Sequence, residues 1–183
     1  IAALWPRVQP AAREKKPRTH RIPLGLVLLS NGLIDNDALR AALDATKKGR
    51  IVMLTAAPAY KCPAAPYEGA LLIDAYLRKR GLRVAVSVDL YAAEPAPLGV
   101  AGPEMSGAVK QLLEDKGTPY HPEHQVKSVD PAARRLEFAN GAHADFDVLA
   151  YVPPHRAPRV VRESPLAGET GWVSVDRHTL ETR

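Results

Sequence analysis

The segment that most constrains the fold lies between residues 50 and 80. A strand-length run, residues 50–55, carries four consecutive apolar side chains, and a helix-like amphipathic pattern covers residues 66–80. An apolar run of this length between loops is typical of a parallel strand buried on both faces. Strand, loop and helix in this order predict the first unit of a dinucleotide-binding α/β domain.

The loop of this unit does not have the chemistry of a nucleotide site. Residues 55–68 contain Pro58, Pro63, Pro66 and Cys62, the one cysteine of the chain, but no glycine. A dinucleotide pyrophosphate approaches the backbone closely, which the glycines of Gly-x-Gly-x-x-Gly permit. The layout therefore favours a nucleotide-type domain, and the loop argues against a bound nucleotide.

Cys62 has two interpretations. Lys61 and the start of the following helix both favour the thiolate, which is the reactive form of cysteine. A free cysteine is, however, more often a small buried hydrophobic residue. Both interpretations remain open at this point.

The remaining pattern extends the alternation of strands and helices. We predict strands over 24–29, 82–90 and 147–152 and helices over 37–48 and 104–116. Three short strands, 125–129, 134–139 and 142–145, precede the last strand, with a hairpin turn at Asn140-Gly141. The strand at 82–90 is expected to place Val84, Val86 and Val88 on one face. The two longer helices are expected to bury the stripes Leu72, Ile73, Tyr76 and Leu77, and Met105, Val109, Leu112 and Leu113.

The fold class that this order predicts is α/β and Rossmann-like, with three layers, a parallel sheet and a β-meander. Residues 25–152 would form this NAD(P)-binding-like domain. Residues 1–24 would form an irregular basic arm, and residues 153–183 a return segment leading to a further part of the protein.

Charge and composition exclude several classes of protein. The net charge is +5, with the densest basic stretch at residues 13–21, and this stretch lacks the aromatic residues that stack on bases. We expect a solvated arm and no nucleic-acid partner. The apolar runs are too short to span a bilayer.

Three other polar features have weaker interpretations. His121 and His124 flank Pro122, which favours a loop, and no metal site is predicted because zinc needs three or four convergent ligands. Glu68 fits the acidic first turn of a helix better than a nucleotide site. His155 follows a predicted strand, where α/β active sites lie, but a surface histidine after a turn is an equal alternative.

Several short motifs occur in a recognisable order. The string Cys62-Pro63-Ala64-Ala65-Pro66-Tyr67-Glu68 resembles the Cys-Pro-x-x-Pro-Tyr-Glu signature of sulfide:quinone reductase-like flavoproteins. This group of FAD-dependent pyridine nucleotide-disulfide oxidoreductases includes the flavin subunit of flavocytochrome c sulfide dehydrogenase. Val152-Pro153-Pro154-His155 is similar to its Val-Pro-Pro-His turn, and residues 141–149 and 171–182 match further family segments. The resemblance covers residues 49–183.

The resemblance implies an FAD-dependent oxidoreductase that passes electrons from sulfide, or a related sulfur donor, to a quinone or a cytochrome. Cys62 would be a redox-active catalytic cysteine, and Pro63, Tyr67, Pro154 and His155 would lie at the cofactor. The chain contains one cysteine, so the family's second redox cysteine is missing from it. The family's glycine-rich and acidic flavin motifs are missing as well. We therefore expect a middle portion of a longer flavoprotein, which retains no FAD and is inactive when isolated.

Two alternatives remain beside this expectation. One is an NAD(P)H-dependent flavin reductase of the same superfamily, and the other is a non-catalytic binding or structural domain with this fold. The resemblance favours a bacterial or archaeal protein that is cytoplasmic or peripheral to the membrane. It leaves open a peripheral membrane association and a homodimer of the full-length protein.

Overall fold

The computed structural model describes residues 26–28, 36–58 and 60–182, and the side chains within those ranges from residue 41 onward. The predicted basic arm, residues 1–24, lies outside them. The strands are Leu26–Leu28 (β1), Gly49–Thr55 (β2), Val86–Ala92 (β3), Tyr120–His121 (β4), Val126–Asp130 (β5), Arg135–Phe138 (β6), His143–Asp145 (β7) and Val148–Val152 (β8). The helices are Asn36–Ala45 (α1), Ala65–Lys79 (α2), Pro103–Asp115 (α3) and Arg159–Arg162 (α4), with a 3₁₀ turn at Gly99–Ala101.

Two sheets form the framework. The first is parallel throughout, with the strand order β1-β8-β2-β3-β4, and the second is the antiparallel meander β5-β6-β7. Strand β2 lies at the centre, where Ile51 pairs with Val148 of β8 on one side and with Val88 of β3 on the other. Its apolar run is almost completely buried, as a strand covered on both faces requires.

The two faces of the parallel sheet carry separate cores. On one face Ile51 and Met53 pack with Ile73 and Leu77 of α2 and with Leu113 of α3. On the other face β2 packs against the meander, with a core of Val52, Leu54, Ala56, Tyr91, Leu136, Phe138, Ala144, Phe146 and Leu149. Helices, parallel sheet and meander are therefore three layers, and the α/β fold class with a Rossmann-like sheet is confirmed.

Helix α2 begins and ends close to the predicted positions. Pro66 lies in its first turn, where the missing N–H costs nothing, and Gly81 ends it with φ +67°. The predicted stripe is wrong at Leu72, which is 69% exposed. Ala70, Ile73 and Leu77 form the buried face instead, because residues three and seven apart share one side of a helix, whereas residue 72 is rotated away from it.

Strand β3 and helix α3 also differ from the prediction. The strand begins at Val86, and Val84 is fully exposed in the turn before it. The parallel register fixes this start, because Val86 pairs with Gly49, the first residue of β2. Of the stripe predicted in α3, Leu113 is buried, whereas Met105 and Leu112 are exposed.

The hairpin predicted at Asn140-Gly141 is confirmed between β6 and β7. Gly141 has φ +83°, a conformation that favours glycine, and the Asn140 side chain accepts a hydrogen bond from the N–H of Ala142 at 3.0 Å.

A buried carboxylate joins α2 to the segment that leads into β3. Asp74 is 2% exposed, and it accepts hydrogen bonds from Arg78 Nε at 2.7 Å and from Arg83 Nε at 2.6 Å. The Arg83 guanidinium also donates to the carbonyls of Gly117 and Val86 at 2.6 and 3.0 Å. One charged cluster therefore ties helix α2, the turn before β3 and the end of α3 together.

A second carboxylate stabilises the start of the central strand, β2. Asp147 accepts a hydrogen bond from the N–H of Arg50 at 2.9 Å and pairs with Arg134 at 3.2 Å. A Cβ added to Gly49, which has φ +114°, would lie 2.0 Å from the Asp147 carboxylate oxygen. Glycine is therefore required at the start of β2, both because its φ angle is positive and because a side chain would have no space.

The segment after β8 contains little regular structure. Besides α4 it holds two isolated bridges, Ala167 to Val173 and Val175 to Thr182. Its large apolar side chains are mostly exposed, namely Val160, Leu166, Trp172, Val175 and Leu180. The boundaries predicted for this return segment, 153–183, remain a prediction.

Candidate functional site

The cysteine loop, which we define as residues 56–58 and 60–64, connects β2 to α2 at the carboxyl edge of the parallel strands. Ligands bind at this edge in open α/β sheets. Cys62 is exposed and has φ +60°. A non-glycine residue in this left-handed region costs about 1 kcal/mol or more, and such residues cluster at functional sites. The Cys62 carbonyl accepts a hydrogen bond from the N–H of Ala65 at 3.0 Å, so the thiol-bearing residue lies directly before helix α2.

His155 meets the cysteine loop from the neighbouring strand. β8 lies beside β2, and His155 follows the end of β8 at Val152. The backbone N–H of Lys61 donates a hydrogen bond to Nδ1 of His155 at 2.8 Å. Because an N–H can only donate, Nδ1 accepts, and the proton of the neutral imidazole stands on Nε2. The histidine is thereby fixed against the residue that precedes Cys62, with its Nε2–H left as a donor.

Glu94 is the polar centre behind the loop. It follows the end of β3, and its carboxylate accepts hydrogen bonds from Thr55 Oγ1 at 2.7 Å, Tyr60 Oη at 2.8 Å and Tyr67 Oη at 2.8 Å. The Tyr67 hydroxyl in turn accepts from the N–H of Leu98 at 3.1 Å. We call Glu94, Thr55, Tyr60 and Tyr67 the Glu94 cluster. It joins the end of β2, the cysteine loop, the start of α2 and the loop after β3.

The tyrosines of this cluster are held in their protonated form. Burial and the charge of Glu94 raise the pKa of Tyr67 to about 12. Burial, with hydrogen bonds to Tyr67 and Glu94, raises the pKa of Tyr60 still further above its ordinary value. Both hydroxyls therefore remain hydrogen-bond donors to the carboxylate at every pH at which the chain would function.

The structure brings some of the predicted site residues together. Cys62 and Pro63 are exposed on the loop, and His155 contacts the loop through Lys61. Pro154 is exposed directly before His155. Tyr67 is 4% exposed, with its hydroxyl bonded inside the domain. The roles of these residues in catalysis and cofactor binding remain predictions.

Sequence reasoning missed Glu94. It considered Glu68 as the acid of a nucleotide site, and the structure places Glu68 on the exposed first turn of α2, which agrees with the preferred helix interpretation. The position of Glu94 in the sequence could have indicated its importance. It follows the second strand of a strand-helix-strand unit, where dinucleotide-binding domains carry an acidic residue that binds the ribose.

A dinucleotide pyrophosphate does not fit the cysteine loop. Pro58 and Pro63 have no N–H to donate, and no glycine allows a close approach of the backbone. The carboxylate that would bind a ribose hydroxyl already accepts three hydroxyl groups of the chain itself. Among the described residues, the cysteine loop therefore does not supply the contacts that a dinucleotide pyrophosphate and its ribose need.

The histidine pair at residues 121 and 124 has other partners. His121 Nε2 lies 3.2 Å from the Asp89 carboxylate, and its ring stacks on Tyr91 with centroids 4.2 Å apart. His124 Nδ1 lies 2.6 Å from the Pro122 carbonyl oxygen. Within residues 41–58 and 60–182, no three histidine, cysteine, aspartate or glutamate side chains converge as metal ligands would.

The helices among the described residues are all too short or too polar to cross a lipid bilayer.

Comparison with known proteins agrees with the motifs. The family model described as the central part of the flavoprotein chain of sulfide dehydrogenase [flavocytochrome c] matches residues 36–153. Mitochondrial sulfide:quinone oxidoreductase of Mus musculus is 27% identical over 146 residues, which cover 76% of this chain and 32% of that protein. Sulfide-quinone reductase of Aquifex aeolicus is 31% identical over 116 residues, 60% of this chain and 27% of that protein. The chain thus spans about a third of the length of the curated relatives it matches.

Solved structures share the fold. The sulfide:quinone oxidoreductase from Aquifex aeolicus superimposes with a TM-score of 0.60 and 22% identity, over 75% of this chain and 33% of that one. The reduced CoADR-RHD of Bacillus anthracis superimposes with a TM-score of 0.56 and 19% identity, over 85% of this chain and 27% of that one. The family match covers well over half of the chain and includes every predicted site residue except Pro154 and His155. The chain belongs to the family of central domains from the flavoprotein chain of flavocytochrome c sulfide dehydrogenase, and the resemblance to sulfide:quinone reductase-like FAD oxidoreductases is confirmed.

Proposed function

We propose that this chain forms the cysteine-bearing central domain of an FAD-dependent sulfide oxidoreductase. The thiol of Cys62 would take up the sulfur of sulfide, or of a related donor, as a persulfide. The two electrons released when this S–S bond forms would go to flavin and then to a quinone or a cytochrome, and the protons would go to solvent. The observation that carries the proposal is the position of Cys62. It is an exposed thiol in a left-handed conformation, at the carboxyl edge of the sheet, in a chain of this family.

His155 supports the same proposal. Its Nδ1 is occupied by the N–H of Lys61, so Nε2–H is the group left for chemistry beside the thiol. A donor there stabilises an anionic sulfur, which is the form in which cysteine reacts. We propose that His155 orients this donor toward the sulfur of Cys62.

FAD would be held mainly by other parts of the longer protein. When bound, the flavin supplies the two-electron acceptor that sulfide oxidation needs. In this proposal the present domain contributes the exposed face formed by Cys62, Pro63, Pro154 and His155. The relatives come from a mitochondrion and from a bacterium, so the origin, the compartment, membrane association and dimer formation of this protein remain proposals.

The test is sulfide-dependent bleaching of the flavin in the full-length protein. We expect Cys62→Ser to slow flavin reduction by at least about two orders of magnitude, because the sulfur that would take up the sulfide sulfur is lost while FAD remains bound. Ala64→Ser is the matched control, since it adds the same hydroxymethyl group to the same exposed loop and keeps the thiol. Flavin reduction at the parent rate in Cys62→Ser would contradict the proposal.

A further inference from the structure

We infer that Glu94 is the positioning residue of the cysteine loop. In this family fold an acid after β3 would stand where a dinucleotide-binding domain receives a ribose. Here the same carboxylate binds the hydroxyls of the chain, and so holds the loop that carries Cys62. The inference rests on the proposed function, because the loop matters through its thiol.

The hydrogen bonds of Glu94 reach the loop from both ends. Thr55 precedes the loop and Tyr67 follows it in α2, while Tyr60 belongs to the loop and stands two residues before Cys62. The tyrosine hydroxyls lie 3.3 Å apart and meet at the same carboxylate oxygen. One side chain therefore fixes both stems and the middle of the loop.

The loop needs such an anchor. Ala56 at the start of the loop donates a hydrogen bond to the Val152 carbonyl at 3.0 Å. Next to Cys62, the Lys61 N–H donates to Nδ1 of His155. Cys62 is held in a left-handed conformation that a free non-glycine residue rarely adopts. The partly buried hydrogen bonds that Glu94 accepts from Thr55, Tyr60 and Tyr67 supply the rigidity that keeps this conformation populated.

The position of the thiol depends on this anchor. In the folded loop, the Cys62 carbonyl accepts a hydrogen bond from the N–H of Ala65, so the thiol-bearing residue stands directly before α2. A released loop carries the thiol away from the helix end and from His155. Loss of the Glu94 cluster should therefore reduce the reactivity of Cys62 without touching the thiol itself.

The experiment measures the rate at which iodoacetamide alkylates Cys62 in the 183-residue chain at neutral pH. We expect Glu94→Ala and Tyr60→Phe each to lower the rate by at least about threefold, and the double variant to lower it no further, because both remove the same interaction. Glu94→Gln should keep a rate close to that of the parent, since its amide oxygen can still accept from both tyrosines. This rescue would not occur if the effect came from the charge of Glu94.

Two controls separate positioning from other effects. Leu113→Ala destabilises the same core without touching the cluster and should leave the alkylation rate of the folded chain unchanged. The ultraviolet titration of the tyrosines should move to lower pH in Glu94→Ala, because the carboxylate that raises the pKa of Tyr67 is gone. Parent alkylation rates in Glu94→Ala and Tyr60→Phe, or additive effects in the double variant, would overturn the inference.

The outcome is independent of the test of the proposed function. If Cys62→Ser leaves flavin reduction intact in the full-length protein, the proposed function fails. The alkylation rates of the Glu94 and Tyr60 variants still show, in that case, whether Glu94 positions the cysteine loop.

Discussion

The charged cluster around Asp74 leads to a quantitative prediction. Asp74 is almost fully buried, and Arg83, whose side chain is 15% exposed, is its better-shielded partner. Replacing Asp74 by alanine leaves the Arg83 guanidinium without its counter-ion inside the domain. Breaking a buried pair in this way costs about 3–5 kcal/mol. Because Arg78 is half exposed and Arg83 keeps two carbonyl partners, we expect the lower end of this range, about 3 kcal/mol.

The assay is urea unfolding of the 183-residue chain followed by circular dichroism. A loss of this size is a large part of the 5–15 kcal/mol by which a domain is usually stable. Asp145→Ala is the matched control, because Asp145 pairs with Arg135 on the surface. Its unfolding midpoint should stay close to that of the parent. Equal midpoints for Asp74→Ala and Asp145→Ala would refute the reasoning.

The pH dependence of the same cluster gives a second readout. Burial alone would raise the pKa of Asp74, but the hydrogen bonds and charges of Arg78 and Arg83 outweigh it and lower the pKa below 3.8. A group whose pKa is lower in the folded state stabilises the fold above its unfolded pKa and loses that contribution as the pH falls. The difference in the free energy of unfolding between the parent and Asp74→Ala should therefore reach its maximum at neutral pH and decrease below about pH 4.

Three further predictions concern other parts of the chain. Gly49→Ala should destabilise the fold by about 1–3 kcal/mol in the same urea assay, because the added Cβ would meet Asp147 and the φ angle of residue 49 is positive. The control Gly107→Ala should not destabilise the fold, because the space around Gly107 on α3 is open. NADH and NADPH should show no binding to the chain by calorimetry at sub-millimolar concentration. The prolines of the cysteine loop lack the N–H groups that a pyrophosphate needs, and Glu94 already accepts hydrogen bonds from three hydroxyl groups of the chain. A micromolar site there would favour the alternative of an NAD(P)H-dependent flavin reductase. The chain should purify without colour, and residues 153–183 should exchange their amide hydrogens faster than the two sheets. Stoichiometric FAD, or strong protection around Trp172, would contradict this.

The elements that sequence reasoning placed well are those whose signal is local. The apolar run at residues 51–54 predicts the central strand, because a strand that is buried on both faces is apolar at every position and does not alternate with polar residues. Asn140-Gly141 predicts its hairpin because the turn itself requires positive φ. The family motifs add the site residues on the loop and after β8.

What the sequence could not predict depends on distant partners. Val84, Val86 and Val88 alternate as a strand would, yet the register with Gly49 decides that only the latter two belong to β3. Lys61 and His155 are 94 residues apart, and the bond between them exists only because β8 lies beside β2. Glu94 is an ordinary loop acid in the sequence, and its role comes from three hydroxyls that the fold brings to it.

The strand order has a consequence for how this chain folds as it is synthesised. β8 lies between β1 and β2, so the strand that closes the parallel sheet is the last of the eight to leave the ribosome. Until residues 148–152 emerge, β2 presents an unpaired edge with four consecutive apolar residues, 51–54, and such edges invite pairing with other chains. A nascent chain that pauses in the meander is therefore the species most exposed to aggregation, and chaperone binding should be strongest between the appearance of β2 and that of β8.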